Sequence, residues 1–335
     1  MGIKVAKFGG SSVADGIQLT KTKEIIEHHP DRKYIVVSAP GKRYEGDNKI
    51  TDLLYLCKTH IDHNLAYDQI FQVIADRYMA VKLNLDIDVD LMKYLDEIRE
   101  NLKQNPSAEY LNAILIAAYL GYDFVDTADL IKFDSRGKIL MDETDRLLRE
   151  ELSRHERAVL PGFYGSTRDG KIKTFSRGGS DITGALVARA IGADVYENWT
   201  DVSGFMVADP RIVKNPKKIK TVSYKELREL SYMGASVLHE DAIYPARMAN
   251  VPINIRNTND PRDQGTLITA EVHDSENIIT GIAGSKDFTV VALYKNMMSS
   301  ERGFVRRILE ILDDFDINFE HLPSGIDTVS VVMSN

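Results

Sequence analysis

Short apolar runs alternate with longer amphipathic stretches along most of the chain. The apolar runs are continuous and rich in β-branched residues, which is typical of strands covered on both faces of a parallel sheet. The predicted strands occupy residues 3–8, 34–37, 122–126, 158–163, 171–175, 193–197 and 251–257. The predicted helices occupy residues 13–28, 107–121, 181–191, 224–233 and 235–249. This alternation predicts an α/β fold, a three-layer α/β/α sandwich around a mostly parallel central sheet.

A long helical segment interrupts this alternation between residues 42 and 106. The tetrapeptide Ser38-Ala39-Pro40-Gly41 ends the second apolar run, and the stretch that follows shows no strand pattern. Helical patterns at residues 51–63 and 66–84 dominate it. We therefore predict a helical excursion that lies outside the central sheet.

The pattern changes again near residue 270 and predicts a second domain. One amphipathic helix at residues 303–315 lies between strand patterns at residues 278–283, 288–294, 318–322 and 328–333. This order is typical of a small α+β domain. We predict domains at residues 1–270 and 278–335. We expect the second domain to be truncated, because the chain stops just after a strand that should lead onward.

Composition and charge exclude several classes of protein. The 335 residues are 43% apolar and 27% charged, as in ordinary globular proteins, and the formal net charge is −8. An acidic balance argues against a general nucleic-acid binder, whose affinity comes from basic surface. Cys57 is the only cysteine and no secretory signal is present, which favours a reducing, cytoplasmic setting. No apolar run approaches the roughly 20 residues that span a bilayer, so we expect no membrane contact.

The stretch KVAKFGGSS at residues 4–12 suggests an anion site at the end of the first strand. An open α/β sheet binds ligands beyond the carboxyl ends of its strands. Gly9 and Gly10 expose backbone there, and the next helix would add its N-terminal amides. Lys7 would be a point charge for a phosphate. A tight turn with a solvated lysine explains the same residues, so both interpretations stay open.

A second segment, TFSRGGSDITGALVARAIGA at residues 174–193, repeats this arrangement. Arg177 can hold a carboxylate or phosphate with two parallel hydrogen bonds. Ser180 or Asp181 is predicted to cap the following helix. Asp181 is also a candidate oxygen ligand for Mg²⁺. A capped helix with a surface arginine is the alternative, but two such turns in one chain favour a reaction between two anions.

Two further candidates are more simply structural when considered alone. The segment WTDVSGFMVADPR at residues 199–211 contains Asp201, Asp209 and Arg211 in predicted loops. Glu109 falls in the first turn of its helix, where the helix dipole favours an acidic side chain.

Together these segments resemble a known family. KFGGSSVAD at 7–15, FSRGGSD at 175–181, WTDVSGFMVADPR at 199–211 and MGASVLH at 233–239 resemble, in this order and spacing, the signature segments of aspartate kinase. That family belongs to the amino-acid kinase superfamily. The resemblance runs from residue 3 to about residue 270, and the tail from residue 278 is similar to the start of its ACT regulatory region.

The resemblance implies a kinase that converts ATP and L-aspartate to 4-phospho-L-aspartate and ADP, with Mg²⁺, at the head of lysine, threonine and methionine biosynthesis. Lys7 would contact the transferring phosphoryl group. The adjoining phosphate loop would be Gly9, Gly10 and Ser11. The aspartate site would be Ser38, Thr51, Glu109, Phe175, Arg177 and Ser180, with Arg177 on the α-carboxylate and Glu109 on the α-ammonium. The nucleotide segment would contain Thr200, Asp201, Asp209 and Arg211.

The resemblance also implies a homodimer through the ACT-like region and lysine or threonine as a feedback effector. The chain departs from the family at two positions. Many members have a lysine where this chain has Ser236, and Arg211 or a lysine at 217 or 218 is a candidate substitute. Met206 replaces a tyrosine of the nucleotide loop. Two alternative functions stay open: a kinase for glutamate or N-acetylglutamate, and a non-catalytic amino-acid sensor.

Overall fold

The apolar runs of the sequence become strands in two structural units, Met1–Ala283 and Gly284–Asn335, of the computed structural model. The structure describes residues 2–102, 107–175, 178–232, 238, 240–272 and 279–335. No helix of these residues is long and apolar enough to cross a membrane.

The strands of the larger unit are short and mostly buried. In chain order they are β1 Lys4–Phe8, β2 Arg32–Val37, β3 Asp123–Phe124, β4 Lys132–Phe133, β5 Ala158–Pro161, β6 Tyr164–Thr167, β7 Ile172–Thr174, β8 Val195–Thr200, β9 Thr221–Ser223, β10 Ile253–Asn257 and β11 Thr266–Thr269. Eight of them form one sheet in the order β3-β5-β2-β1-β8-β10-β11-β9. Its neighbours are parallel except β10 and β11. A smaller sheet has the order β4-β6-β7.

Helices cover both faces of the eight-stranded sheet. They are α1 Gly16–His28, α2 Ile50–Asp62, α3 Asp68–Asn84, α4 Leu91–Glu100, α5 Ala108–Leu120, α6 Met141–Leu152, α7 Gly179–Ile191, α8 Tyr224–Tyr232 and α9 Glu240–Met248. Successive residues of a strand point to opposite faces. Val5 and Val36 therefore join the core that contains α6 to α9, whereas Ala6, Phe8 and Val37 join the core that contains α1 to α5. These two cores make the sandwich three-layered.

The smaller unit contains two strands and one helix, β12 Phe288–Tyr294, α10 Phe304–Asp314 and β13 Thr328–Ser334. The strands pair antiparallel, with Val291 opposite Val331. The α10 helix has no buried residue. Large apolar side chains are exposed in this unit, including Tyr294, Phe315 and Ile326.

The structure confirms the predicted three-layer α/β sandwich and the helical excursion, which contains α2, α3 and α4. The strand predicted at residues 278–283 is wrong: Ile278 lies outside the described residues, and residues 279–283 form no strand, although the Ile282 N–H donates to the Val207 carbonyl.

The strand predicted at residues 318–322 is also wrong, since it reduces to one antiparallel bridge between His321 and Val332. Pro323 follows at once and has no N–H to continue the ladder. The apolar residues at 318–322 therefore predict a strand that Pro323 prevents from extending.

Candidate functional site

Lys7 and Asp181 form an ion pair where the end of β1 meets the first turn of α7. Lys7 is the penultimate residue of β1, and its side chain lies on the opposite face of the sheet from Ala6 and Phe8. The Lys7 Nζ lies 2.5 Å from Asp181 Oδ1, and only 8% of the Lys7 side chain and 19% of the Asp181 side chain are exposed. Because little water screens the pair, its attraction is stronger than that of a surface ion pair.

Asn198 of β8 joins this ion pair. It is the register partner of Lys7 across the two parallel strands, so both side chains lie on the α7 face. The Asn198 Nδ2 donates to Asp181 Oδ1 at 2.9 Å, and Lys7 Nζ donates to Asn198 Oδ1 at 3.5 Å. The three side chains form one closed polar cluster, which we call the Lys7–Asp181–Asn198 triad.

The turn after β1 is built for close backbone approach. The Gly9 N–H donates to the Trp199 carbonyl at 2.9 Å, so this amide is not available to an anion. A Cβ at Gly9 would lie 3.5 Å from Lys7 Nζ. A Cβ at Gly10 would lie 3.2 Å from the Cα of Gly41, whose N–H donates to the Gly10 carbonyl. Bare backbone therefore lets the turns after β1 and β2 touch.

The predicted cap of α7 is wrong. Gly178 occupies the N-cap position in the left-handed region, with φ of 57°, and no side chain caps the helix. The helix therefore begins at Gly179, and both Ser180 and Asp181 lie inside its first turn. A carboxylate that is not used for capping is free to reach Lys7.

Two glycines bring the turn after β5 against the start of α7. A Cβ at Gly162 would lie 2.5 Å from Ser180 Oγ, and a Cβ at Gly179 would lie 2.6 Å from Phe163 Cδ2. Phe163 has φ of 78°, a costly conformation for a phenylalanine, and its N–H donates to Thr183 Oγ1 at 3.2 Å. Such backbone strain clusters at functional sites, where the surrounding structure holds it.

Glu109 is almost fully buried at the start of α5 and lines a pocket. The lining includes Thr51, Tyr55, Lys58, Glu109, Phe163 and Thr174. The Ser107 hydroxyl donates to Glu109 Oε2 at 2.9 Å, and the Ala39 N–H also bonds to this carboxyl group. Burial outweighs these bonds and raises the pKa of Glu109 above its usual range. The pocket thus presents a carboxyl group that lacks a positive partner among the described contacts.

Ser11 and Ser38 lie on the two turns that touch. Ser11 belongs to a short 3-10 helix, Gly10–Val13, which explains why α1 starts later than predicted. The Ser38 N–H donates to the Phe8 carbonyl, and its own carbonyl accepts from Asn112 Nδ2 at 2.7 Å. Both serines therefore sit at the carboxyl edge of the sheet, as predicted for strand-end residues.

Phe175 is buried beside the turn that follows β5. Its ring meets the Phe133 ring edge-on, with centroids 5.1 Å apart, and its N–H donates to the Phe163 carbonyl. Its backbone thus supports the strained turn. Arg177 lies outside the described residues, so its predicted role stays a prediction.

The predicted nucleotide residues follow β8. Thr200 Oγ1 donates to Asp201 Oδ1 at 3.2 Å at the end of that strand. Arg211 lies 2.7 Å from Asp209 in an exposed ion pair, with 86% of the arginine side chain exposed. No described contact joins this pair to Lys7.

Two of the three candidate substitutes for the family lysine form ion pairs elsewhere, one of them Arg211 with Asp209. Lys218 forms an ion pair with Asp263. The Lys217 carbonyl accepts from the Val207 N–H at 2.8 Å. Ser236 itself lies outside the described residues.

Asp181 offers a carboxylate oxygen that is suited to coordinate a magnesium ion. Among the described residues there is no cluster of three or more histidine, cysteine or acidic side chains that could hold a metal. Mg²⁺ is usually held by one or two carboxylates together with substrate phosphates, so one carboxylate suffices. Both described contacts of the Asp181 carboxylate use Oδ1. The chemistry of this donor therefore fits the ion.

Sequence reasoning missed Asn198 and Phe163. A polar asparagine inside the buried strand VYENWT was the available signal for Asn198. The glycines at 162 and 165, on either side of Phe163 and Tyr164, were the signal for the turn.

Sequence comparison gives one consistent result. The sequence model of the amino acid kinase family matches residues 2–257. Aspartokinase 3 of Bacillus subtilis is 37% identical, over 99% of this chain and 78% of that protein. Chloroplastic aspartokinase 1 of Arabidopsis thaliana is 26% identical, over 98% of this chain and 63% of its own length.

Solved structures agree with the sequence comparison. Aspartate kinase of Clostridium acetobutylicum matches with a TM-score of 0.93 and 49% identity, over 100% of this chain and 78% of that chain. Aspartokinase III of E. coli, in complex with aspartate and ADP, matches with a TM-score of 0.76 and 25% identity, over 99% of this chain and 79% of that chain.

Glu109→Gln should stabilise the fold at neutral pH. A raised pKa means that the folded protein binds the Glu109 proton more tightly than the unfolded chain does. The ionised side chain therefore lowers the free energy of unfolding at neutral pH, and this cost disappears below the ordinary pKa. We expect a higher Tm for Glu109→Gln at about pH 7.5, with the gain shrinking toward about pH 4.

Glu100→Gln, the same change at an exposed position of α4, is the control and should leave the Tm unchanged. A Tm gain for Glu109→Gln that stays constant across this pH range would contradict the account, as would a loss at neutral pH.

Proposed function

The chain belongs to the amino acid kinase family, within its aspartate kinase branch, and from this premise we propose how its residues carry out phosphoryl transfer. The chain is an aspartate kinase: it transfers the γ-phosphoryl group of ATP to the side-chain carboxylate of L-aspartate, giving 4-phospho-L-aspartate and ADP, the first step of the aspartate pathway. The observation that carries the residue assignment is the Lys7–Asp181 ion pair at the carboxyl edge of a parallel sheet.

Lys7 is the electrostatic catalyst in this proposal. Phosphoryl transfer needs alignment of the donor with the acceptor, and neutralisation of the charge on the γ-phosphoryl oxygens. Asp181 and Asn198 hold the Lys7 ammonium at a defined point before the substrates bind. A preorganised charge costs no reorganisation at the moment of reaction. Backbone of the Gly10 and Ser11 turn completes the phosphate loop.

Glu109 binds the α-ammonium of aspartate. Its buried carboxyl group is a receptor for a cation, because an arriving ammonium compensates the cost of ionising it. Thr51 lines the same pocket, and Ser38 and Ser180 lie on the neighbouring turns. Phe175 supports the strained backbone at Phe163, and Arg177 pairs with the α-carboxylate.

The reaction needs no general base. The side-chain carboxylate of aspartate is already ionised near neutral pH and can attack directly. Asp181, together with the ATP phosphates, would hold Mg²⁺, which would supply charge neutralisation when bound. Thr200, Asp201, Asp209 and Arg211 form the nucleotide segment.

We further propose assembly and regulation through the smaller unit. Its exposed apolar side chains, such as Tyr294, Phe315 and Ile326, support a homodimer formed through this region. Lysine or threonine is the proposed effector, since a relative 26% identical is the lysine-sensitive aspartokinase 3 of Escherichia coli. The single buried cysteine, Cys57, supports a cytoplasmic setting.

Substrate choice tests the assignment most simply. ADP release with ATP and Mg²⁺ should depend on L-aspartate and not on L-glutamate or N-acetylglutamate. Trapping of the acyl phosphate by hydroxylamine identifies the product. Turnover that prefers either rival substrate would overturn the assignment, and the absence of ADP release with all three would favour a non-catalytic amino-acid sensor.

Lys7→Ala and Glu109→Ala should change different kinetic constants, kcat in the first variant and the KM for aspartate in the second. Lys7→Ala removes the preorganised positive charge beside the transferring phosphoryl group, and this should lower kcat by about 10²-fold or more. Glu109→Ala removes a contact to the bound amino acid and should mainly raise the KM for aspartate. Initial rates across aspartate concentrations separate the two effects, and equal loss of both constants in both variants would refute this division.

A further inference from the structure

We propose that Asn198 is a positioning residue that orients the Asp181 carboxylate toward Mg²⁺ and holds Lys7 beside it. This inference rests on the proposed function of the triad. It starts from an asparagine that is only 4% exposed, in a strand whose four central residues are all buried. A buried amide without hydrogen-bond partners would lower the free energy of unfolding. The two hydrogen bonds of Asn198 avoid this loss and identify the groups on which it acts.

The chemistry of the three side chains allows one orientation of the amide. An ammonium can only donate hydrogen bonds, and an ionised carboxylate can only accept them. The Asn198 oxygen must therefore face Lys7 and its NH₂ must face Asp181, as the distances of 3.5 and 2.9 Å show. Neither leucine nor ionised aspartate at this position could make both bonds. Asparagine bridges the ion pair without adding a charge.

The bridge determines which carboxylate oxygen remains for a metal. Lys7 and Asn198 both bind Oδ1 of Asp181, so the described contacts leave Oδ2 unbonded. Two bonds to one oxygen hold that oxygen in place and restrict the rotation of the carboxylate. Groups that orient a metal-binding carboxylate in this way contribute to metal affinity although they never touch the ion.

The backbone around the triad is also fixed. Tyr196, two residues earlier on the same face of β8, donates its hydroxyl to the Asp181 carbonyl at 3.1 Å. A Cβ at Gly184 would lie 2.5 Å from that hydroxyl, so the glycine lets α7 pack directly on β8. Asn198 then acts on the one part of Asp181 that still rotates, its side chain.

Asn198→Leu tests the inference, because leucine has similar size but makes no hydrogen bond. We expect kcat for aspartate to fall about 10-fold or more. The KM for aspartate should stay within about twofold, since the amino-acid contacts are intact. Titration of Mn²⁺ in the presence of ADP, followed by electron paramagnetic resonance, should show metal affinity weakened about 10-fold. Asn254→Leu on the neighbouring strand β10 is the matched control and should change neither quantity.

Asn198→Thr and Asn198→Val give a second, independent test. The two side chains have nearly the same shape, but only the threonine hydroxyl can donate to Asp181 and accept from Lys7. Asn198→Thr should therefore keep a higher kcat and tighter Mn²⁺ binding than Asn198→Val. A role limited to packing predicts equal values for the two variants.

The outcomes separate this inference from the proposed function. Wild-type turnover with aspartate tests the function alone, whereas the Mn²⁺ titration tests Asn198 even if aspartate is not the substrate. Wild-type kcat and Mn²⁺ affinity in Asn198→Leu would overturn the inference. If Asn198→Leu does not fold, the comparison of Asn198→Thr with Asn198→Val decides: tighter Mn²⁺ binding by Asn198→Thr supports the inference, and equal binding overturns it.

Discussion

The active site depends on one ion pair, between the buried Lys7 ammonium and the partly buried Asp181 carboxylate. Removing two charges from water costs several kcal/mol per ion, which the attraction repays only with good geometry and additional hydrogen bonds. Asn198 supplies those bonds. Loss of Asp181 would leave the buried Lys7 charge alone, at a cost of about 3–5 kcal/mol. We infer that the pair is retained for the position of its charges, since buried pairs are weak sources of stability.

The fold brings residues that are distant in the chain together at this ion pair. Lys7 and Asn198 are 191 residues apart in the chain but are register partners in a parallel sheet. Parallel order puts the carboxyl ends of β1, β2, β5 and β8 at one edge. Close contacts at Gly10 and Gly162 then bring the turns after β1 and β5 against their neighbours. The chemistry therefore needs few reactive groups and many short, tightly packed turns.

Much of this architecture could be predicted from local patterns, and the failures have physical causes. The periodicity of apolar residues was sufficient to predict the sandwich and to place Glu109 in the first turn of α5. The predicted cap of α7 was wrong, because Gly178 in the left-handed region is the N-cap. The helix therefore begins before Ser180 and Asp181, the residue types that normally cap a helix. Asn198 escaped notice because its partners lie on other segments, and no local pattern contains a contact between strands. The residue that completes the triad was thus the least predictable.

A double-mutant cycle on kcat tests the central claim most directly. Lys7→Met and Asp181→Asn would be measured singly and together, with aspartate and ATP saturating. If the two side chains act as one unit, the double variant should be about as slow as the slower single variant, because the second change removes nothing further. Losses that multiply, so that the double variant shows the product of the two single effects, would mean that the ion pair is not the working unit of the site.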